Sequence, residues 1–414
     1  MLRMTERLRG LLTGLLLLCP APAFAGETPP AIPAEASSLA ADLDAAIDGA
    51  LAQKRMVGVV VLVAHDGRIT YHRAAGFADR EAGTPMREDT IFRLASVSKA
   101  YTSMAAAALL ERGTLNLDDP ITKWLPKFTP RLPDGGSAVI TVRQLLSHTA
   151  GLDYGFTQAL DGPYHLLGIT DGLETSGISL EEHMRRIASA PLLSKPGTSW
   201  RYSVATDVLG AVIEKAYGAP LPQAVRDLVT APLGLADTGF TVTDKSRLAF
   251  PYYNASPQPL RMADDLQAVD FGGGVSVRFS PNAVFSSMHF PSGGAGMVGT
   301  APELLRLLET IRTGGAPLTG PAIMNEMSRS QAGKLPGMPG MGFGLGWAVL
   351  VDPATAQTPQ APGTLNWGGV YGSSWFIDPA NKLSVVILSN TAPEGMWGQV
   401  VTDVRDAVYR RLPR

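Results

Sequence analysis

The stretch FRLASVSKAYTSMAAAALLERG, residues 92–113, places one serine three positions ahead of one lysine and continues into an alanine-rich segment. Alanine and leucine are strong helix formers, so the sequence predicts a helix over residues 96–112. Side chains three residues apart lie on one face of a helix, so the hydroxyl of Ser96 and the amine of Lys99 would be neighbours. Such a pair indicates a serine nucleophile that a lysine activates.

This catalytic interpretation needs a lysine that is uncharged when it accepts the hydroxyl proton. An ordinary lysine side chain is protonated at neutral pH, and only burial among apolar neighbours or a second nearby cation favours the free amine. Residues 92–95 offer apolar cover on one side, and the positive end of the helix would stabilise a serine alkoxide. The alternative is that Ser96 only caps the helix while Lys99 is solvated, because serines are numerous enough for one such pair to arise by chance.

Strands are predicted at both ends of the chain and helices between them. The segment 57–79 contains two apolar runs separated by Asp66-Gly67, a dipeptide typical of a two-residue hairpin turn. The other predicted elements are helices over 39–53, 204–218, 301–315 and about 395–411, and strands over 342–351, 363–379 and 382–390.

Strand-rich ends around a helical middle indicate an α+β fold in which both termini build one sheet. We therefore expect one domain over 39–414. Its α/β part would comprise about 39–95 and 296–414, and its mainly helical part about 96–295. The segment 220–290, rich in proline and aromatic residues, is expected to shape the rim of a pocket.

The first 25 residues are laid out like a secretory signal peptide. Arginines at 3, 7 and 9 precede an apolar run, Leu11–Leu18, and the small-x-small sequence Ala23-Phe24-Ala25 suits cleavage. The single cysteine, Cys19, lies inside this leader; it is an alternative site for a lipid anchor, although its neighbours suit such processing poorly. Cleavage after Ala25 leaves a cysteine-free chain that suits an oxidising compartment. We expect a periplasmic or secreted protein in which residues 26–38 form a flexible leader.

Charge and hydropathy limit the partners of the mature chain. The formal charge of −2 includes a net +2 from the leader, so the mature chain carries about −4 and shows no basic stripe. This argues against nucleic acid as a partner. No second apolar stretch approaches the length of a membrane span, so no stable membrane insertion is expected after signal cleavage. Nothing in the sequence sets the number of chains that associate.

Two further stretches contain groups that suit acyl chemistry. Tyr202, in RYSV just before the predicted helix 204–218, could place its hydroxyl in a cleft as a proton shuttle, although a tyrosine by itself is more often a core or rim residue. The stretch NWGGVYG, 366–372, is a glycine-interrupted strand, which often marks close approach of a ligand or a second backbone. Such a strand can donate one backbone N–H to an oxyanion hole; its other interpretation is a bulge or turn.

In this order, the three stretches resemble the serine β-lactamase and penicillin-binding superfamily, whose motifs are Ser-x-x-Lys, Ser-Asp-Asn and Lys-Thr-Gly. Here the second motif is Tyr202-Ser203-Val204, closer to the Tyr-x-Asn of class C enzymes, and the third is Trp367-Gly368-Gly369 without the lysine. These departures, together with LLSHTAGLDYGF (145–156) and GGVYGSSWFIDP (368–379), look like the family VIII carboxylesterases. The resemblance covers about 55–392. It implies a β-lactamase/transpeptidase-like fold, with an antiparallel sheet from both chain ends, flanking helices and an inserted helical region.

The resemblance also implies a role for each matching residue. Ser96 is similar to the acylated nucleophile, Lys99 to its activating base, and Tyr202 to the tyrosine that returns the proton to the leaving group. The backbone N–H groups of Ser96 and Val370 match the oxyanion hole. The implied substrate-pocket residues are Tyr154, Trp367, Gly368 and Gly369. No metal or cofactor is implied.

The two departures from the motifs bear on the substrate. A β-lactam or a D-Ala-D-Ala peptide carries a carboxylate that the third-motif lysine meets, and the loss of a partner for a buried charge costs about 2–5 kcal/mol. Trp367 offers no charge there, and Val204 removes an amide that could bind the β-lactam side chain. Neutral esters lose nothing by either change, and an aromatic wall suits their apolar groups. We therefore expect a small-molecule carboxylic ester as substrate.

Several alternatives stay open. The first is a β-lactamase, D-amino-acid peptidase or amide hydrolase of the same superfamily; the second is a non-catalytic binding module, which would have no need for Ser96, Lys99 and Tyr202 together. An α/β-hydrolase needs Gly-x-Ser-x-Gly, which the sequence lacks, and a metal hydrolase lacks His-Glu-x-x-His, although His183 follows two glutamates. His148 could serve as a triad base, but the Lys-Tyr pair already supplies one, so we expect it to be structural.

Overall fold

The computed structural model describes residues 34–286, 289–333 and 335–412, and only the backbone of residues 34–37. The predicted signal peptide, 1–25, lies outside the described residues, as does the expected leader up to residue 33. The first helix begins at Ala34, before the predicted residue 39, so the end of the expected leader is helical. Within the described residues, no helix has the length and apolar character needed to cross a membrane.

The helices alternate with short turns through the middle of the chain. The α-helices of the described residues are α1 (Ala34–Ala52), α2 (Ser98–Glu111), α3 (Val142–Leu146), α4 (Pro163–Leu166), α5 (Leu180–Ser189), α6 (Ala205–Tyr217), α7 (Leu221–Val225), α8 (Ala301–Arg312), α9 (Pro321–Ser328), α10 (Pro353–Ala356), α11 (Glu394–Trp397) and α12 (Gln399–Arg410). The 3-10 turns are Ala95–Val97, Ile121–Lys123, Gly155–Thr157, Lys245–Arg247 and Pro281–Phe285, and Arg226–Thr230 is a π-helical turn.

The strands cluster at the two ends of the chain. They are β1 (Gly58–His65), β2 (Arg68–Asp79), β3 (Thr84–Pro85), β4 (Phe92–Arg93), β5 (Tyr252–Tyr253), β6 (Leu260–Arg261), β7 (Gln267–Asp270), β8 (Ser276–Phe279), β9 (Val298–Gly299), β10 (Met341–Phe343), β11 (Ala348–Leu350), β12 (Leu365–Gly369), β13 (Ser373–Asp378), β14 (Leu383–Ser389) and β15 (Thr391–Ala392).

One eight-stranded antiparallel sheet organises the molecule, in the order β10-β11-β12-β13-β14-β1-β2-β3. The N-terminal and C-terminal halves of the sheet meet where β1 pairs with β14, with Val61 opposite Ile387. The predicted α+β fold and the sheet built from both chain ends are therefore confirmed. The two strands predicted over 342–351 and 363–379 are each two strands, because the chain reverses within both segments; the second reversal is at Gly372, whose φ of 114° favours glycine.

Both faces of the sheet are covered, which explains why β1 is an unbroken apolar run. Val59, Val61 and Val63 of β1 pack with α1 and α12 on the outer face, whereas Val60 and Leu62 pack into the inner core with the helical region. Since strand side chains alternate between faces, only a strand buried on both sides can be apolar throughout. The inner core, on the side of α2 and α6, is the larger of the two and surrounds the predicted site.

Helix α2 is almost entirely buried at the centre of the inner core. Its small alanine side chains allow neighbouring elements to approach closely. The predicted helix included Ser96, but α2 begins at Ser98. Ser96 belongs to the 3-10 turn Ala95–Val97 directly before the helix. Ala95 has a φ of 44°, an unfavourable backbone conformation for alanine that costs of the order of 1 kcal/mol. The surrounding structure therefore holds the serine in a strained turn at the end of a rigid helix.

Candidate active site

The structure brings Ser96, Lys99 and Tyr202 into direct contact. Lys99 Nζ lies 3.2 Å from Ser96 Oγ, and the hydroxyl of Tyr202 donates to the same oxygen at 2.6 Å. Tyr202 comes from the segment before α6, more than a hundred residues from Ser96, so the tertiary fold places it. A hydroxyl between an amine and a phenol can lose its proton to one and regain a proton from the other.

Lys99 is the most deeply buried of the three residues, with 1% of its surface exposed. Its Nζ also donates to Tyr154 Oη at 3.0 Å and to the carbonyl oxygen of Gly294 at 2.8 Å. An ammonium has three N–H donors, and Ser96, Tyr154 and Gly294 supply three acceptors. No carboxylate is among its hydrogen-bond partners in the described residues. These three hydrogen bonds direct the amine at the serine.

Tyr154 lies in the predicted pocket and has a second contact there. It lines the cavity in front of Ser96, but its hydroxyl also contacts Lys99, and its ring stacks on Phe156 with a 4.7 Å centroid distance. Burial, together with the neighbouring Tyr202, raises the pKa of Tyr154 well above its ordinary value. Tyr154 is therefore a neutral phenol that orients the lysine.

His148 packs against Tyr202, and the hydrogen bond of its ring is to Ser203 and not to Ser96. Its ring lies 5.0 Å from the ring of Tyr202, and its Nδ1 lies 3.3 Å from Ser203 Oγ. Burial, followed by the charge of Lys99, lowers the pKa of His148 well below its ordinary value. The geometry agrees with the expected structural role and gives no support to a triad.

The glycine strand β12 lies directly against the turn that carries Ser96. A Cβ on Gly369 would lie 2.2 Å from the carbonyl oxygen of Leu94, so only glycine allows this approach. Gly369 therefore packs against the turn and does not line the cavity, contrary to its prediction as a pocket residue. Gly368 lines the cavity, as do Ser96 and Val370, whose N–H groups are the predicted oxyanion hole.

Trp367 has two roles in the geometry. It lines the cavity, as predicted, and its ring packs 5.2 Å from the rings of both Tyr202 and Phe343. Trp367 therefore supports the ring of Tyr202 at the position where the superfamily motif has a lysine.

The cavity in front of Ser96 has a volume of about 620 Å³ and mostly apolar walls. Among the described residues that line it, the charged ones are Asp171 and Arg405. The hairpin β7–β8 forms one wall of the cavity with the side chains of Phe271, Val275 and Val277. Trp397 lines the same wall, where its ring contacts the ring of Phe271. The expectation that the segment 220–290 shapes the pocket applies to this hairpin.

Sequence reasoning missed Gly294, Asp171 and the hairpin residues. Gly294 lies in a glycine-rich stretch, SGGAGM (292–297), which was the available signal. Asp171 accepts hydrogen bonds from the backbone N–H groups of Gly155 and Phe156, and so holds the loop that carries Tyr154. Nothing around Asp171 in the sequence indicated this contact. Within the described part of the chain, no group of three His, Cys, Asp or Glu side chains is arranged to hold a metal ion.

Comparisons with known proteins agree with this geometry. The family model described as Beta-lactamase matches residues 43–408. Esterase EstB of Burkholderia gladioli is 50% identical over 388 residues, which cover 92% of this chain and 98% of that protein. The solved structure of EstCE1, described as a hydrolase with promiscuous acyltransferase activity, is 47% identical with a TM-score of 0.88 and covers 90% of this chain and 99% of that one. Unliganded simvastatin synthase LovD of Aspergillus terreus shares the fold, at 22% identity and a TM-score of 0.70, over 90% of this chain and 98% of its own.

Proposed function

The chain belongs to the Beta-lactamase family and is a serine hydrolase of that superfamily, and we propose that it cleaves neutral carboxylic esters through an acyl-enzyme on Ser96. The observation that carries the proposal is the contact of Ser96 Oγ with both Lys99 Nζ and the Tyr202 hydroxyl. A binding module has no need for a serine held between a buried amine and a phenol.

In the proposed acylation, Ser96 Oγ attacks the ester carbonyl carbon while its proton passes to Lys99. The carbonyl oxygen becomes an oxyanion that faces the backbone N–H groups of Ser96 and Val370. The bond to the alcohol oxygen then breaks, Tyr202 gives that oxygen its proton, and the proton held by Lys99 restores the phenol. In deacylation, water loses a proton to the Lys99–Tyr202 pair and attacks the acyl carbon. The bond from the acyl carbon to Ser96 Oγ then breaks, the pair returns the proton to Ser96, and the carboxylic acid leaves.

The cavity favours a neutral ester over a β-lactam. Its aromatic and aliphatic walls suit apolar acyl or alcohol groups, and Trp367 occupies the place of the lysine that meets a substrate carboxylate. The relative that is 50% identical is named an esterase, which supports the same substrate class. β-Lactam or D-amino-acid peptide hydrolysis is the weaker candidate within the superfamily.

Acyl transfer to an alcohol is a second candidate activity. The relative EstCE1 is described as a hydrolase with promiscuous acyltransferase activity. An apolar cavity of about 620 Å³ can hold an alcohol beside the acyl-enzyme, and the alcohol then competes with water for the acyl group. We also propose, from the leader sequence and the cysteine-free mature chain, that the enzyme works in the periplasm or outside the cell.

The proposed function is tested with a fluorophosphonate probe and two substrates. We expect the probe to label the wild-type protein, Ser96→Ala to abolish labelling, and Ser374→Ala to keep it. Ser374 is a matched control because it lies beside the same cavity, and its hydroxyl has no hydrogen-bond partner among the described residues. The kcat/KM for p-nitrophenyl butyrate should exceed that for nitrocefin at least a hundredfold. Labelling of the Ser96→Ala protein would reject the nucleophile, and equal turnover of nitrocefin would make the enzyme a β-lactamase.

A further inference from the structure

The segment 292–297, SGGAGM, hereafter the glycine loop, is tied to helix α2 at three points. The carbonyl oxygen of Gly293 accepts from Thr102 Oγ1 at 2.7 Å, and the N–H of Met297 donates to Ser98 Oγ at 3.0 Å. The third tie is the 2.8 Å bond from Lys99 Nζ to the carbonyl oxygen of Gly294. The loop thus supplies the fixed acceptor that directs the lysine.

Asp207 holds the same loop from the side of helix α6. Its Oδ1 accepts from Ser292 Oγ at 2.7 Å and from the N–H of Gly294 at 2.8 Å. A Cβ on Gly294 would lie 3.2 Å from Asp207 Oδ1 and 3.4 Å from Lys99 Nζ. The carboxylate and the amine therefore lie close to the same point, with one glycine between them.

Asp207 is a buried carboxylate with hydrogen bonds to one of its two oxygens. Its side chain has no exposed surface, and neither has that of His183, whose Nε2 lies 3.7 Å from Asp207 Oδ2. Burial favours a raised pKa for Asp207, but His183, Ser292 and the N–H of Gly294 outweigh it, and the pKa lies below its ordinary value. In the described residues, Asp207 Oδ2 and both ring nitrogens of His183 have no hydrogen-bond partner.

A purely structural role explains this arrangement poorly. A buried carboxylate loses its hydration, and the two donors to Oδ1 would be served as well by a neutral amide oxygen. The free oxygen Oδ2 gains nothing from the loop. Besides His183, the amine of Lys99 lies near the carboxylate, on the other side of Gly294, and it becomes an ammonium each time it takes the serine proton.

We propose that Asp207 is a positioning residue for the reaction of Ser96: it fixes Gly294 so that the carbonyl keeps Lys99 directed at the serine, and its charge stabilises the ammonium that forms during acylation. His183 is the buried partner of the other carboxylate oxygen of Asp207, Oδ2. The inference rests on the proposed function. It extends the catalytic machinery to a group that touches neither the substrate nor Ser96.

The test compares Asp207→Ala and Asp207→Asn in steady-state hydrolysis of p-nitrophenyl butyrate and in the rate of fluorophosphonate labelling. We expect Asp207→Ala to lower kcat about a hundredfold, with KM within threefold of wild type, and to slow labelling by a similar factor. Asp207→Asn keeps an acceptor for Ser292 and Gly294 but loses the charge, so it should regain about tenfold of the lost kcat. A loss confined to KM would overturn the proposal.

The matched control is Asp378→Ala on the outer side of the sheet. Asp378 is also fully buried and accepts hydrogen bonds from Ala361, Asn381 and Tyr409, so its loss should lower stability to a similar extent. Its kcat per folded molecule should stay within threefold of wild type. Equal losses of kcat in the two alanine variants, with folded fractions measured by circular dichroism, would make Asp207 merely structural.

A milder variant covers the case in which Asp207→Ala does not fold. Ser292→Ala removes one of the two donors to Asp207 and leaves every group that contacts Lys99 in place. We expect about a fivefold lower kcat and an equally slower labelling; unchanged values for both would overturn the inference. A wild-type protein that is labelled but turns over no ester would reject the proposed function alone, because the labelling rates of the variants still report on Asp207.

Discussion

At the scale of single residues, the contact between Ser96 and Lys99 could be predicted from the sequence because it is local. Ser96 and Lys99 are three positions apart, so a turn and a helix are enough to bring them together. Gly294 and Asp171 reach the site only through the tertiary fold; a glycine-rich stretch marks Gly294, and no short-range pattern marks Asp171. The place of Tyr202 was inferred from motif order and from a resemblance, because 106 positions separate Tyr202 from Ser96 in the sequence.

The role of Lys99 as the base is tested by Lys99→Arg. A guanidinium stays protonated and cannot accept the serine proton, so we expect kcat/KM for p-nitrophenyl butyrate to fall about a hundred- to ten-thousand-fold. Lys99→Ala should lose a similar factor, which controls for the size of the arginine. An arginine variant within tenfold of wild type would show that the lysine is not the base.

Asp171 predicts a pH dependence of stability. Burial, with the nearby Glu174, raises the pKa of Asp171 from 3.8 to about 7, although the N–H groups of Gly155 and Phe156 oppose this. The native state therefore binds the proton more tightly than the unfolded state. The stabilisation that protonated Asp171 gives the native state is complete below pH 3.8 and is lost as the pH rises through 7. Between pH 5.5 and 8.5 the free energy of unfolding should therefore fall by about 2 kcal/mol.

The variant Asp171→Asn is fixed in a neutral form and should escape this loss. We expect the Tm of the wild-type protein to fall a few degrees further than that of the variant between pH 5.5 and 8.5, because about 2 kcal/mol corresponds to that shift in a large domain. Thermal unfolding followed by circular dichroism measures it. Parallel pH profiles for the two proteins would mean that the carboxyl titrates normally.

At the scale of elements, the sequence predicted helices better than loops. Helices 204–218 and 301–315 were located from their apolar spacing and correspond to α6 and α8. The hairpin β7–β8 went unassigned, because two four-residue strands around a glycine tip carry too little periodicity. Its tip, Gly272–Gly274, has positive φ at all three positions, and the flanking Phe271 reaches Trp397 in an edge contact at 5.6 Å.

This hairpin is expected to select the length of the apolar group in the substrate. Phe271→Ala widens the wall of the cavity, so KM for p-nitrophenyl octanoate should change at least threefold while KM for the acetate stays within twofold. Phe285→Ala is the matched control, because Phe285 is exposed in the same region but does not line the cavity. A profile across chain lengths that is the same for both variants would remove the hairpin from the specificity site.

At the scale of the whole molecule, one sheet made from both chain ends was predictable from the positions of the strand patterns. The order of the strands within the sheet could not be predicted, because the sequence of a strand that is apolar on both faces does not indicate which strands pair with it. The seam at β1 and β14 is fully buried, with Val61 and Ile387 each at most 1% exposed. The helical insertion packs on one face of this sheet, so one buried core joins distant parts of the chain, and we expect them to unfold together.

Ile387→Ala tests how far the seam controls stability. Removing a buried isoleucine costs about 2–5 kcal/mol, and the transition should remain single. Ile69→Ala, on β2 with 56% of the side chain exposed, should change stability by no more than about 0.5 kcal/mol. Urea unfolding followed by fluorescence and by loss of esterase activity should give coincident curves. Separate transitions for the two probes would show that the sheet and the helical region unfold independently.

The pairing of β1 with β14 also determines at which stage of synthesis the enzyme can fold. A ribosome has to synthesise every residue from 59 to 389 before β1 can meet its partner strand. Until then β1 and β2 lack the central neighbour that a stable sheet needs, and β12, which packs against the turn that carries Ser96, has no complete sheet behind it. We therefore expect a nascent chain without β14 to have no hydrolase activity.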